Sequence, residues 1–205
     1  MTACFQGLFR TDSSVRDKFL ARLFGIFSEE IVRCWCEDAR SPYEDLGRPT
    51  VKPKGEQGRG SQLDFTLRSR KDPKEVYIAE MKCWLEYENY RYLPLKDPQQ
   101  LRWKGDKAFE LFLWGAKHPS QLTVTVNNES QSIDGSILVW SACSDEVRDS
   151  IVAEYGLRDV LSLEKIIAEL VAQQNTGFLK LIEDRRTWAE YLFSGLMEVD
   201  RPCWP

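Results

Sequence analysis

A chain of 205 residues with a hydrophobic share of 42% is enough for one domain with a real core, or one domain with an appended subdomain. The net charge of −4 gives no overall pull toward a polyanion, and no apolar run nears the roughly 20 residues that span a bilayer. One histidine, His118 in a polar KHPS turn, leaves little basis for a Cys/His zinc site or for imidazole-dependent nucleophilic catalysis, so the chemistry is expected from carboxylates and lysines.

The opening MTACFQGLFRTDSS lacks the basic-then-apolar pattern of a secretory signal, and a cytoplasmic location is expected. The six cysteines, Cys4, Cys34, Cys36, Cys83, Cys143 and Cys203, are scattered in keeping with that compartment. Cys34 and Cys36 form C-x-C, which is read as packing.

Residues 14–37 carry apolar side chains at helical spacing (Leu20, Leu23, Phe24, Phe27, Ile31, Cys34, Trp35), with a break expected at Gly25 and Ser28 capping a second piece. On that helix Glu30 and Glu37 border the apolar stripe, while Glu29 points nearly opposite. A Gly/Pro/charge-rich loop follows, with a short strand near Thr50–Lys52. SQLDFTLRS then alternates as a strand, RKDPK turns, and EVYIAEMKCW forms the second strand of a hairpin. A helix is expected from about Pro98 to His118, then strands at QLTVTV and GSILVWSA. SDEVRDSIVAEYG reads as a helix from a Ser144 cap to Gly156, and two amphipathic helices complete the chain. The order gives an α/β fold: a core over residues 1–145 and a C-terminal helical extension, 146–205, packed on the same domain.

The anomaly is IAEMKC. Strand periodicity sets Glu80 and Lys82 on one face, ~6.5–7 Å apart, inside a segment otherwise built for burial. Asp64, one acid among large apolar residues on the neighbouring strand, joins them if the hairpin pairs in suitable register. Two carboxylates suit Mg²⁺, and an ammonium beside them suits a water-mediated attack on a phosphodiester. The plain alternative is an ordinary cross-strand ion pair on a solvated face.

GSQLDFTL, a turn and VYIAEMK resemble the PD-(D/E)XK nuclease superfamily, the restriction-endonuclease-like fold, over roughly residues 15–140. The resemblance implies a restriction-endonuclease-like core: a central mixed β-sheet flanked by helices, with the C-terminal helices added. It places Asp64 as the first acid, Glu80 as the second and Lys82 as the lysine. Asp64, Glu80 and the Met81 carbonyl would hold Mg²⁺, with Mn²⁺ as a substitute, and Lys82 would position or activate the water. Glu30 is the choice for the first-helix glutamate that completes the site, with Glu29 and Glu37 as fallbacks. Leu63 stands where many members have proline, and Gln99 or Gln100 loosely matches a glutamine on the following helix. The implied partner is nucleic acid, most plainly DNA, with no membrane association. A homodimer through helices in 163–199 is expected if both strands are cut.

Phosphate contacts are expected from Lys52, Lys54, Arg59, Arg102, Lys104 and Lys107. Trp84 and Trp103 are read as core before base-stacking residues. Two competing functions stand beside the nuclease: a catalytically inactive nuclease-fold protein serving as a nucleic-acid-binding or assembly subunit, and an unrelated α/β interaction protein.

Overall fold

The computed structural model describes residues 18–86, 91–102 and 106–197, so the readings on Cys4, Trp103, Lys104 and Cys203 fall outside it. The chain runs α1 (Lys18–Glu37), β1 (Tyr43–Asp45), β2 (Pro49–Pro53), β3 (Ser61–Gln62), β4 (Phe65–Ser69) and β5 (Val76–Lys82). It continues with β6 (Pro94–Leu95), α2 (Gln99–Arg102), α3 (Lys107–Lys117), β7 (Leu122–Val126) and β8 (Glu129–Gln131). Then come β9 (Gly135–Trp140), β10 (Ala142–Cys143), α4 (Asp145–Tyr155), β11 (Asp159–Ser162), α5 (Leu163–Ala172) and α6 (Thr176–Met197). The fold is mixed α/β.

The main sheet has five strands in the order β1-β4-β5-β9-β11. β4 runs antiparallel to β5, while β5, β9 and β11 are parallel. A four-stranded antiparallel sheet, β3-β2-β7-β8, and the short β10-β6 pair complete the strand inventory among the described residues. The connection from β5 to β9 includes α3, as a parallel pair requires a crossover.

Side-chain alternation along β5 divides the molecule into two cores. Tyr77, Ala79 and Met81 pack with Ile31, Val32 and Trp35 of α1 and with Leu163 and Leu170 of α5. Ile78, one step out of phase, packs on the opposite side with Phe109 and Phe112 of α3 and Trp140 of β9. β5 is therefore buried on both faces, which is why it reads as a nearly continuous apolar run.

Three expectations need correction. α1 runs unbroken through Gly25, and Ser28 caps nothing: its hydroxyl donates to the Phe24 carbonyl at 2.6 Å, one turn back. The helix expected from Pro98 is two, α2 and α3, with Asp106 starting the second. The region beyond 145 is not purely helical, because β11 pairs in parallel with β9 as an edge of the main sheet. Ser144 and Gly156 bound α4 as expected, Gly156 in the left-handed region at φ 69°.

Candidate functional site

The site forms where β5 leaves the sheet. The even-numbered side chains of β5 point toward α3, so Glu80 and Lys82 share a face two residues past Ile78. The hairpin register pairs Phe65 with Ala79 and Thr66 with Ile78, so its continuation brings Asp64 opposite Glu80. β4 begins only at Phe65, and the Asp64 side chain takes over from the ladder: its Oδ2 accepts from the Met81 amide at 2.8 Å. The Asp64 carbonyl accepts from Arg33 Nη2 at 3.2 Å, tying the hairpin to α1.

Lys82 Nζ donates to Glu80 Oε1 at 2.7 Å and to Asp106 Oδ2 at 3.1 Å, and lies 5.2 Å from the centre of the Phe109 ring. Asp106 is the N-cap of α3, its Oδ1 accepting from the Phe109 amide at 2.8 Å. One carboxylate thus starts the helix and steadies the lysine. The sequence carried a signal for it, an acid immediately before the apolar run KAFELFLW, hidden by the expectation of a single helix from Pro98.

These groups open into a cleft of about 520 Å³ that includes Arg22, Glu29, Asp64, Glu80, Lys82 and Trp84 in its wall. Burial raises the Glu80 carboxyl to about 7; Asp64 adds to the rise and Lys82 opposes it. Asp64 is raised too, by burial first, with the Met81 amide pulling the other way. For Lys82 burial favours the neutral amine, but Glu80 and Asp106 together outweigh it and the net shift is upward. Lys82 is an ammonium. Glu80 Oε2 is buried with no hydrogen-bond partner, which is costly for an ionised carboxylate.

The first-helix glutamates divide in a way the stripe geometry did not give. Glu30 faces away from the cleft, and its Oε2 accepts from Arg185 Nε of α6 at 2.8 Å. Glu29, the fallback, lines the cleft. It is held there by Arg33 at 3.3 Å and by a close pair with Arg48, while Glu37 is exposed at the far end of α1. The reason is that α1 is covered by β1, α5 and α6, so a residue at the border of the stripe meets α6. Arg48 had no local signal, since its partner lies 19 residues away in sequence.

Of the basic residues, Lys52, Arg59 and Lys107 line a separate groove of about 450 Å³ with Glu56, Glu110 and Trp114. Lys54 instead donates to the Ser120 carbonyl at 3.4 Å, and Arg102 pairs with Glu154 at 3.2 Å. Trp84 is half-buried at the cleft wall rather than in the core. Gln100 Oε1 accepts the amides of Lys96 and Asp97, a local role in starting α2, so it does not reach the cleft. Cys34 and Cys36 are buried as packing residues, and both are free thiols.

Among the described residues no group of three or more His, Cys, Asp or Glu side chains is gathered as a metal site. Asp64 and Glu80 form a two-carboxylate donor set, one of whose oxygens has no protein partner. That chemistry fits a hard divalent cation that keeps several waters. No protein-family model matches the chain, and neither the curated proteins nor the solved structures contain a significant match. No helix among the described residues is long and apolar enough to cross a membrane.

Proposed function

We propose that the protein is a Mg²⁺-dependent endonuclease that hydrolyses phosphodiester bonds of DNA, with Mn²⁺ as a substitute, on a restriction-endonuclease-like core. The observation that carries this reading is the unpartnered Glu80 Oε2, buried beside Asp64 in the wall of an open cleft. The order α1, β4–β5 hairpin, α3, β9 agrees with the helix–hairpin–helix–strand core that the sequence resemblance implies.

Asp64 and Glu80 would hold the cation, which when bound supplies a Lewis acid for the scissile phosphate and acidifies its water. Lys82, fixed by Glu80 and Asp106, presents an ammonium to the same space. Held between Glu80 and Asp106, it can position the attacking water and offset negative charge on the phosphorane. Water oxygen bonds to phosphorus as the bond to the leaving sugar oxygen breaks, the water's proton passing to solvent in the cleft and the leaving oxygen taking one up from it. Lys52, Arg59 and Lys107, none of them paired with an acid among the described residues, offer phosphate contacts in the adjoining groove, and Trp114 offers a ring.

Plasmid cleavage with Mg²⁺ or Mn²⁺, by wild type and by Asp64→Ala, tests the reading. Cleavage that needs the metal and is lost in the variant is expected. Equal activity in the two proteins, or cutting without metal, overturns it. One observation favours a second reading, a catalytically inactive nuclease-fold protein that binds nucleic acid or assembles with other subunits: among the described residues no three carboxylates are gathered to hold a metal, and Glu29 of the cleft wall is taken up by Arg33 and Arg48. Binding of DNA without cleavage under any metal would select that reading.

A further inference from the structure

α6 is held to the body by one face only. Phe178 is buried, Leu181 packs on the same core, and Arg185 reaches Glu30. On a flank about 80° around the helix lies a second stripe: Leu179, Ile182, Arg186, Ala189, Phe193 and Leu196. Their spacing is three, four, three, four, three, that of the a and d positions of a coiled coil. The four large apolar members are between 39% and 61% exposed, so the seam stands open. With exposed Leu192 flanking it, roughly 500 Å² of apolar surface is left along this seam, toward the upper end of what a monomer leaves uncovered. Two such faces, with their polar flanks, reach the roughly 1,200 Å² at which specific interfaces begin.

The occupant is indicated by the pattern itself, which is symmetric about the midpoint between Thr187 and Trp188. An isologous contact needs a patch that complements itself, and an antiparallel copy in this register provides one. Leu179 meets the partner's Leu196, Ile182 meets the partner's Phe193, and Arg186 meets the partner's Ala189. Large side chains pair at both ends, and the one long polar residue falls opposite the smallest. The Arg186 charge is already answered within its own chain by Glu183 at 2.6 Å, so covering its stem strands no cation. A parallel pair in register would set Arg186 against the partner's Arg186, two like charges at the centre of the seam.

We infer that α6 pairs antiparallel with α6 of a second copy, making a two-fold symmetric dimer through Leu179, Ile182, Phe193 and Leu196. This inference is independent of the catalytic reading. Light scattering on the full chain from 1 to 100 µM, in wild type, Asp64→Ala, Phe193→Asp and Ile182→Asp, tests it. Wild type and Asp64→Ala are expected at twice the 23.8 kDa chain mass. Each aspartate variant is expected to raise the dimer dissociation constant at least ~100-fold while the far-ultraviolet circular dichroism stays unchanged. Using both ends of the seam guards against one variant that fails to fold. A monomeric wild type at 100 µM overturns the inference, as does a dimer that survives both folded aspartate variants. Loss of cleavage in Asp64→Ala with the dimer intact leaves the two proposals separable.

Discussion

Two of the molecule's glutamate–cation pairs differ sharply in character. Glu80 and Lys82 keep only 7% and 14% of their side-chain surface exposed, and one Glu80 oxygen has no partner. Glu30 and Arg185 keep 30% and 47%, and both carboxylate oxygens are met by the guanidinium. The exposed pair has its hydrogen bonds satisfied and needs nothing further. The buried pair is incomplete by itself. Burying a charge and leaving an acceptor unpaired costs free energy, which a cation bound as proposed would offset. One pair fastens one helix to another, while the other keeps a buried carboxylate oxygen unmet.

The largest expected effect tests that separation directly. Asp64→Ala, Glu80→Ala and Lys82→Ala are each expected to lower cleavage by ~10³-fold or more, since each removes a charge from the reacting region. Glu30→Ala is expected to change the rate by less than about threefold. A comparable loss in Glu30→Ala, measured on the same plasmid, would erase the distinction.

Next in size is the pH dependence of stability without metal. The folded-state pKa of Glu80, about 7, lies above its ordinary 4.5. The folded state therefore binds the proton more tightly, and the stabilisation this gives is complete below about 4.5 and lost as pH rises through 7. Glu80→Gln should then be more stable than wild type at pH 8, by up to about 3 kcal/mol, and no more stable at pH 4.5. Thermal melts read this as a rise of about 5–10 °C at pH 8. Added Mg²⁺ should raise the melting temperature of wild type at pH 8 and leave that of Glu80→Gln nearly unmoved. The reverse ranking at pH 8 would mean that the Glu80 charge is well solvated.

A smaller effect is expected in the basic groove. Replacing Lys52, Arg59 and Lys107 together with glutamine should weaken DNA binding about tenfold and shallow the log Kd against log salt slope by two to three. Asp64→Ala serves as the cleavage-dead background for that titration. An unchanged slope would remove the groove from the DNA path. The smallest effect is that of Glu30→Gln on stability, expected at no more than about 1 kcal/mol because the pair is exposed and screened.

Much of the site was legible in the residues. The alternation of LDFTL and VYIAEMK gave the hairpin, its burial, and the shared face of Glu80 and Lys82, all local consequences of a two-residue period. The antiparallel register that brings Asp64 opposite Glu80 follows from apolar residues that must face the same cores. Glu30 was misplaced for a physical reason: a helical wheel shows where the apolar stripe ends, not which neighbour covers each border. α6 covers the Glu30 side, and Glu29 falls to the cleft. Asp106 was missed because one long helix was expected where two exist, so its capping position went unread. β11 is only four residues long, too short for a period to announce it beside the stronger helical pattern of α5.

The sequence alone determined an α/β chain, its main hairpin, the caps at Ser144 and Gly156, and two opposite charges held on one face of a buried strand. These depend on dihedral preferences and on the period of side chains, which act within a few residues. Tertiary structure alone decided that Asp106 steadies Lys82, that Arg48 holds Glu29, that Glu30 belongs to α6, and that one oxygen of Glu80 is left unmet. Those contacts join residues from 19 to 155 positions apart, or depend on which of several polar groups reaches an oxygen first. Burial and pairing in three dimensions settle such questions, and no local pattern encodes them.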